Sequence, residues 1–295
     1  MLAVVFAVFS GVSYGAADFA GALASKRNNA SLVTIVVQVI SLISLAVVLV
    51  VSRTGTVIAS DLWWGALGGV GAAVALTTFY AALAEGPMST AASVTALVGS
   101  LVPVLAGIAL GEIPNTMTLV GMGLAIPAAI IVSVGAAEVR ERQVASSPRA
   151  RVRDRARAAR TRRLSVIAGL GFGLFFVALA QTSADGGLYP LVGARFASIA
   201  LLAVVLTTQR SWSVVARPDW LAVVIAGLLD CAANSFYLFA LEDGSFTWVA
   251  VVVSLYPVAT VLLARFLLGE LITRAQTVGL AMAACALVLV GLGAA

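Results

Sequence analysis

Ten separate apolar stretches dominate this 295-residue sequence, and each is long enough to cross a bilayer. A spanning helix needs about 20 residues, and inside hydrocarbon it must satisfy its backbone groups itself, which an open sheet cannot do. The sequence therefore predicts an all-α membrane protein with ten transmembrane helices, multi-pass in the plasma (inner) membrane. The stretches cover residues 2–23, 31–52, 62–84, 89–110, 116–136, 164–183, 188–208, 220–241, 246–268 and 273–293.

Composition excludes several other classes of protein. Apolar residues make up 61% of the chain and charged residues 11%, against roughly 45–50% and 25% in soluble proteins. Histidine is absent, and Cys231 and Cys285 lie within apolar stretches, so we expect no metal site, no cofactor and no enzymatic activity. The net charge of +5 lies mainly beside membrane spans, which favours lipid contact over nucleic-acid binding.

One long polar segment, residues 138–163, divides the chain. It holds ten arginines and three carboxylates and almost no large apolar side chain. Such a composition offers too little apolar surface to fold alone. We interpret it as a linker between residues 1–137, the first half, and residues 164–295, the second half.

The two halves repeat one another at an offset of 157–158 residues. Matched pairs include Gly69 with Gly227, Phe79-Tyr80 with Phe236-Tyr237, and Leu110-Gly-Glu112 with Leu268-Gly-Glu270. Because each half contributes five spans, an odd number, the second half enters the membrane from the opposite side. This predicts two inverted-topology repeats (5+5), an arrangement that places a transporter's substrate site near the midplane.

Three motifs of the second half resemble the EamA domain of the drug/metabolite transporter superfamily: Ser254-Leu-Tyr-Pro257-Val, Leu268-Gly-Glu270 and Gln276-Thr-Val-Gly279. The resemblance implies a transporter of small molecules whose fifth and tenth helices join the halves or mediate dimerisation, hence a monomer or homodimer. The first half departs from the pattern, since Gly99 aligns with Pro257 and Gln38 with Arg195. A site between the halves would therefore be asymmetric.

Polar side chains form one stripe on each of five predicted helices, as expected for helices around an aqueous cavity. We take nine of them as candidates for substrate or proton contact: Tyr14, Asp18, Gln38, Thr77, Tyr80, Arg195, Asp230, Asn234 and Tyr237.

Two interpretations of the buried carboxylates remain open. Asp230 or Asp18 could carry a coupling proton, or Asp230 could form a permanent ion pair with Arg195. Asp18 lies nearer the end of its helix, which favours a structural role. For the tyrosines, packing is the default, although the matched positions of Tyr80 and Tyr237 favour the site.

A second group of residues marks possible hinges or gates: Gly99, Pro103, Glu112, Pro257 and Glu270. Pro257 removes a backbone donor and is expected to kink its helix. Glu112 and Glu270 each follow a glycine at a predicted helix end, which favours a helix-end role over a gating contact.

Charge predicts the orientation. Most basic residues of the connections fall on one side of the membrane: Lys26, Arg27, the arginines of the linker, Arg210, Arg217 and Arg274. The connections on the other side have Arg53 alone. The positive-inside rule places the linker in the cytoplasm and both termini outside, whereas the family resemblance implies cytoplasmic termini.

The function predicted is secondary transport of a small metabolite, amino acid or toxic organic compound, as proton-coupled export. Uptake by the same fold and a non-transporting scaffold or receptor are the alternatives.

Overall fold

The computed structural model describes residues 2–25, 28–53, 55–85, 88–112, 114–143, 148–208, 220–268 and 273–293. Within helices, the side chains of residues 88–90, 93, 129, 132–143, 148–156, 257, 261, 264 and 268 lie outside this description. All regular structure in the described ranges is helical.

Eleven α-helices cover the described residues, and their positions follow the predicted stretches closely. They are α1 Leu2–Ser25, α2 Ala30–Ser52, α3 Ala59–Glu85, α4 Met88–Ala109, α5 Thr116–Gln143, α6 Pro148–Leu179, α7 Tyr189–Thr208, α8 Trp220–Asp243, α9 Phe246–Val253, α10 Tyr256–Leu268 and α11 Arg274–Gly293.

Membrane-spanning character is clear from these helices. In the described part of the chain, eight helical segments are long and apolar enough to span, with α9 and α10 counted together as Phe246–Leu267. Two shorter apolar helices, Val94–Ala109 and Thr116–Ala128, accompany them. The all-α membrane class is thus confirmed, while the division into ten spanning helices and two inverted repeats remains a prediction.

The Arg-rich segment, interpreted from the sequence as a linker that cannot fold alone, continues two neighbouring helices. Its backbone is helical at both ends, because α5 continues to Gln143 and α6 already begins at Pro148. Arginine, alanine and glutamate are good helix formers, and extending an existing helix avoids the cost of nucleating a new one. The segment is therefore a pair of helical extensions joined at residues 144–147, which lie outside the description.

The stretch predicted as one helix over 246–268 is divided into α9 and α10. The break falls at Ser254–Leu255, just before Pro257, where the ring disfavours helical geometry in the residues preceding it. Pro103, by contrast, lies inside α4 without ending it.

Helices of the two halves interleave. α1 packs along α8, α3 along α6 and α7, and α5 along α11, while α2 contacts both α7 and α8. Glycines permit the closest approach, since a methyl group at Gly65 or Gly69 of α3 would overlap the carbonyl oxygens of Pro190 and Ala194 on α7. This packing brings the polar faces of α1, α2, α7 and α8 together in the interior.

Candidate functional site

A buried ion pair lies at the meeting point of α2, α7 and α8. The Nη2 atom of Arg195 is 2.8 Å from Oδ2 of Asp230, and the two residues are only 1% and 5% exposed. Nη1 of Arg195 donates a hydrogen bond to Oε1 of Gln38 at 2.6 Å. A charge pair so far from water is stable only with such added hydrogen bonds.

Two further side chains extend this pair to α1. Nδ2 of Asn234 donates to the carbonyl oxygen of Asp230 at 2.6 Å and to its Oδ1 at 3.2 Å. The hydroxyl of Tyr14 donates to Oδ1 of Asn234 at 2.7 Å. We call Tyr14, Gln38, Arg195, Asp230 and Asn234 the inner network; it connects four helices drawn from both halves.

Asp18 has different surroundings. It is 4% exposed, and its carboxylate has no ion pair and no hydrogen bond with the described residues. It borders a cavity of about 20 Å³, roughly the room one water occupies. The walls of this inner cavity include Tyr14, Gly99, Phe172, Phe176 and Tyr256.

A larger cavity of about 250 Å³ lies where α6 and α8 end and α9 begins. Because α6 starts in the Arg-rich segment, its other end marks the opposite face of the bundle, which we call the far face. We name this cavity the vestibule; its lining includes Glu112, Leu179, Ser183, Leu238, Glu242 and Phe246.

An aromatic pair lies between the vestibule and the inner cavity. Phe176, which borders the inner cavity, is one turn before Leu179 of the vestibule. Its ring centroid is 4.7 Å from that of Tyr237, whose hydroxyl donates to the Phe176 carbonyl at 3.3 Å. The pair thus joins α6 to α8 next to both cavities.

Four of the nine predicted site residues lie outside the inner network: Asp18 and Tyr237, described above, and Thr77 and Tyr80. The Thr77 hydroxyl is buried without a partner among the described residues. Tyr80 is buried against α1, where a methyl group at Gly21 would overlap its ring. The functional roles of Thr77 and Tyr80 stay predictions.

The hinge candidates fall in several places. Gly99 borders the inner cavity, Pro103 is buried in α4, and Glu112 accepts hydrogen bonds from the start of α9. Glu270 and the Pro257 side chain lie outside the described residues, as do Lys26, Arg27, Arg210 and Arg217.

Phe176 is a central residue that the polar stripes did not indicate. It contacts the rings of Tyr14 and Tyr237. The repeat offers a signal that could have found it, because an offset of 158 places Phe176 opposite Asp18. The two halves thus bring an aromatic ring and a carboxylate to the same cavity.

The described side chains contain no group of three His, Cys, Asp or Glu residues that could hold a metal ion. The two cysteines are free, Cys231 buried and Cys285 exposed.

Comparison with known proteins gives a family match for the second half of the chain. Its fold and apolar helices make it a multi-pass membrane protein of the plasma membrane. Residues 163–292 match the EamA-like transporter family, so the second half of the chain carries an EamA-like domain of the drug/metabolite transporter type.

A solved crystal structure has the same fold. It aligns with a TM-score of 0.72 and 16% identity over 98% of this chain and 96% of its own. At that identity the likeness concerns the fold alone. No curated protein matches the sequence.

Proposed function

We propose that this protein is a secondary transporter that exports a small metabolite, amino acid or toxic organic compound by alternating access, in exchange for protons. The observation that carries the proposal is the pairing of the inner network with an unpaired carboxylate, Asp18, at a cavity in the core of the bundle. Ionisable side chains are costly in hydrocarbon and usually mark pathways or proton relays.

Two observations support an inverted repeat of residues 1–137 and 164–295 as the moving framework. The helix pair α1–α8 corresponds to the pair α6–α3 when the halves are exchanged, and both pairs pack along each other. Gln38 and Arg195, 157 residues apart, also bond directly. Counterparts that touch are expected beside a twofold axis between repeats.

The α5–α11 contact lies within one chain. It supports the interpretation that these helices hold the halves together in a monomer. Dimerisation through the same helices is the alternative.

We assign the coupling proton to Asp18 rather than Asp230. Asp230 is compensated by Arg195 at 2.8 Å, so proton binding there would leave the arginine as an unpaired buried charge. Asp18 has no such partner in the described part of the chain, and binding a proton removes its charge from hydrocarbon. This assignment reverses the preference drawn from the sequence, where the position of Asp18 near the end of its helix favoured a structural role.

Flux through purified protein in proteoliposomes tests the proposal. Radiolabelled amino acids and ethidium serve as probes, and an imposed pH gradient supplies the driving force in either direction. We expect gradient-driven flux in the wild type. The Asp18→Asn variant should lose its dependence on the gradient by about tenfold or more while retaining exchange of the probe at equal pH.

Two results would overturn parts of the proposal. Gradient dependence that survives Asp18→Asn removes the proton site, and gradient-driven accumulation opposite to export makes the protein an uptake carrier. Absence of flux for all probes in the folded wild type favours the scaffold or receptor.

A further inference from the structure

The start of α9 has no side-chain cap of its own. Ser245 occupies the N-cap position with extended backbone geometry, φ −63° and ψ 134°, yet its side chain makes no capping hydrogen bond to its own helix. The first N–H groups of a helix have no partners within it and must find them elsewhere. At α9 those partners come from the other half of the chain.

Glu112, which follows α4, provides the cap. Its Oε1 accepts a hydrogen bond from the Phe246 N–H at 3.2 Å, and its Oε2 accepts one from the Thr247 N–H at 3.0 Å. The hydroxyl of Ser245 donates to the same carboxylate at 2.6 Å, and that of Thr247 donates to it as well. Four donors on one carboxylate at a helix start form a strong, charge-assisted contact.

The approach of α4 to α9 is built into the sequence. A methyl group at Gly107 of α4 would overlap the hydroxyl of Thr247 and lie 3.1 Å from Oε2 of Glu112. Only glycine lets α4 lie close enough for the carboxylate to reach the α9 start. Thr247 is fully buried in this contact.

The contact forms one wall of the vestibule, which Glu112 and Phe246 both border. Leu238 borders the same cavity and is 7% exposed. Separation of α4 from α9 at the far face would widen the vestibule and expose this leucine.

We propose that Glu112 is a latch between the halves: its carboxylate holds the start of α9 and keeps the far face closed. Opening requires all four donors to leave the carboxylate together, so the latch sets how often the far face opens. The inference rests on the proposed alternating access, but its test needs no substrate, so a failed latch and an absence of flux are separate results.

The test measures reagent access to the vestibule in full-length protein in lipid nanodiscs. Leu238→Cys is introduced after Cys231 and Cys285 are replaced by alanine, and the labelling rate with an anionic methanethiosulfonate is recorded. Glu112→Gln is the test variant. Glu242→Gln is the matched control, because Glu242 borders the same vestibule and has no hydrogen bond or ion pair to a described residue.

We expect Glu112→Gln to raise the labelling rate about tenfold, the change that loss of a charged hydrogen-bond acceptor would give. Glutamine keeps one acceptor oxygen, and its amide group faces donors rather than acceptors. Glu242→Gln should stay within about twofold, since surface substitutions have small effects. The latch proposal would be overturned if wild type and Glu112→Gln were labelled at equal rates. It would also be overturned if Glu112→Gln and Glu242→Gln raised the labelling rate equally.

A second variant, on the other side of the contact, distinguishes loss of the latch from misfolding of Glu112→Gln. Thr247→Val removes one hydroxyl donor and preserves shape. We expect it to raise the labelling rate by a smaller factor in the wild type, and by less still once Glu112 is glutamine, because the pair forms one interaction. Additive effects of the two substitutions would also contradict the latch.

Discussion

Asp18 and Asp230 are both carboxylates buried in the core, yet their surroundings differ. Asp230 is compensated by Arg195 and accepts a hydrogen bond from Asn234. Asp18 borders a small cavity among aromatic rings and has no cationic partner in the described residues. Burial alone therefore does not identify a proton site, and the proposed assignment of the coupling proton to Asp18 rests on the absence of a compensating charge among the described residues.

We expect the largest loss of stability when the ion pair between Arg195 and Asp230 is broken. Arg195→Ala leaves Asp230 as a buried charge without a cation, which should lower the free energy of unfolding by about 3–5 kcal/mol. The thermal unfolding midpoint of the purified protein in detergent measures this loss. Removing both residues in Arg195→Ala/Asp230→Ala should recover part of it, and a single variant as stable as wild type would contradict the structural ion pair.

The same substitution at both carboxylates compares them directly. Asp230→Asn leaves Arg195 as a buried charge without a partner and should also cost about 3–5 kcal/mol, whereas Asp18→Asn breaks no ion pair and should cost markedly less. Both losses of stability can be measured with the same thermal unfolding assay. If Asp18→Asn proves as destabilising as Asp230→Asn, Asp18 has a structural role and the comparison fails.

A smaller loss of stability than that of Asp230→Asn is expected at the edge of the inner network. Tyr14→Phe removes the hydroxyl that donates to Asn234 at 2.7 Å and should cost about 1 kcal/mol. Tyr189→Phe is the control, because Tyr189 is half-buried at the start of α7 and its hydroxyl bonds to no described residue. Equal unfolding midpoints for the two variants would show that the Tyr14 hydroxyl contributes nothing to the network.

Much of this architecture could be predicted from the sequence because the bilayer imposes a simple rule on helix length. The apolar stretches located the helices closely, and the break before Pro257 follows from proline geometry. The polar stripes also indicated that Arg195 and Asp230 would meet, although the choice between relay and ion pair remained open.

What the sequence left undetermined depends on contacts between distant helices. The absence of a cation beside Asp18 follows from the packing of α1, and the partner of Glu112 lies more than 130 residues away. Thr77 and Tyr80 share a helix face with polar character, but periodicity cannot tell a cavity from a neighbouring helix. The helical ends of the Arg-rich segment were not predicted, because a composition that cannot fold alone can still extend a neighbouring helix.

The bond between Gln38 and Arg195 has a consequence for how such a sequence diverges. If the halves arose by duplication, one residue type first occupied both positions, and these positions now touch. Two arginines there would place like charges side by side with one carboxylate between them, and two glutamines would leave that carboxylate without a cation. The residue at position 38 therefore restricts which residue can stand at position 195, and the reverse. We expect selection against arginine at both positions and against glutamine at both positions.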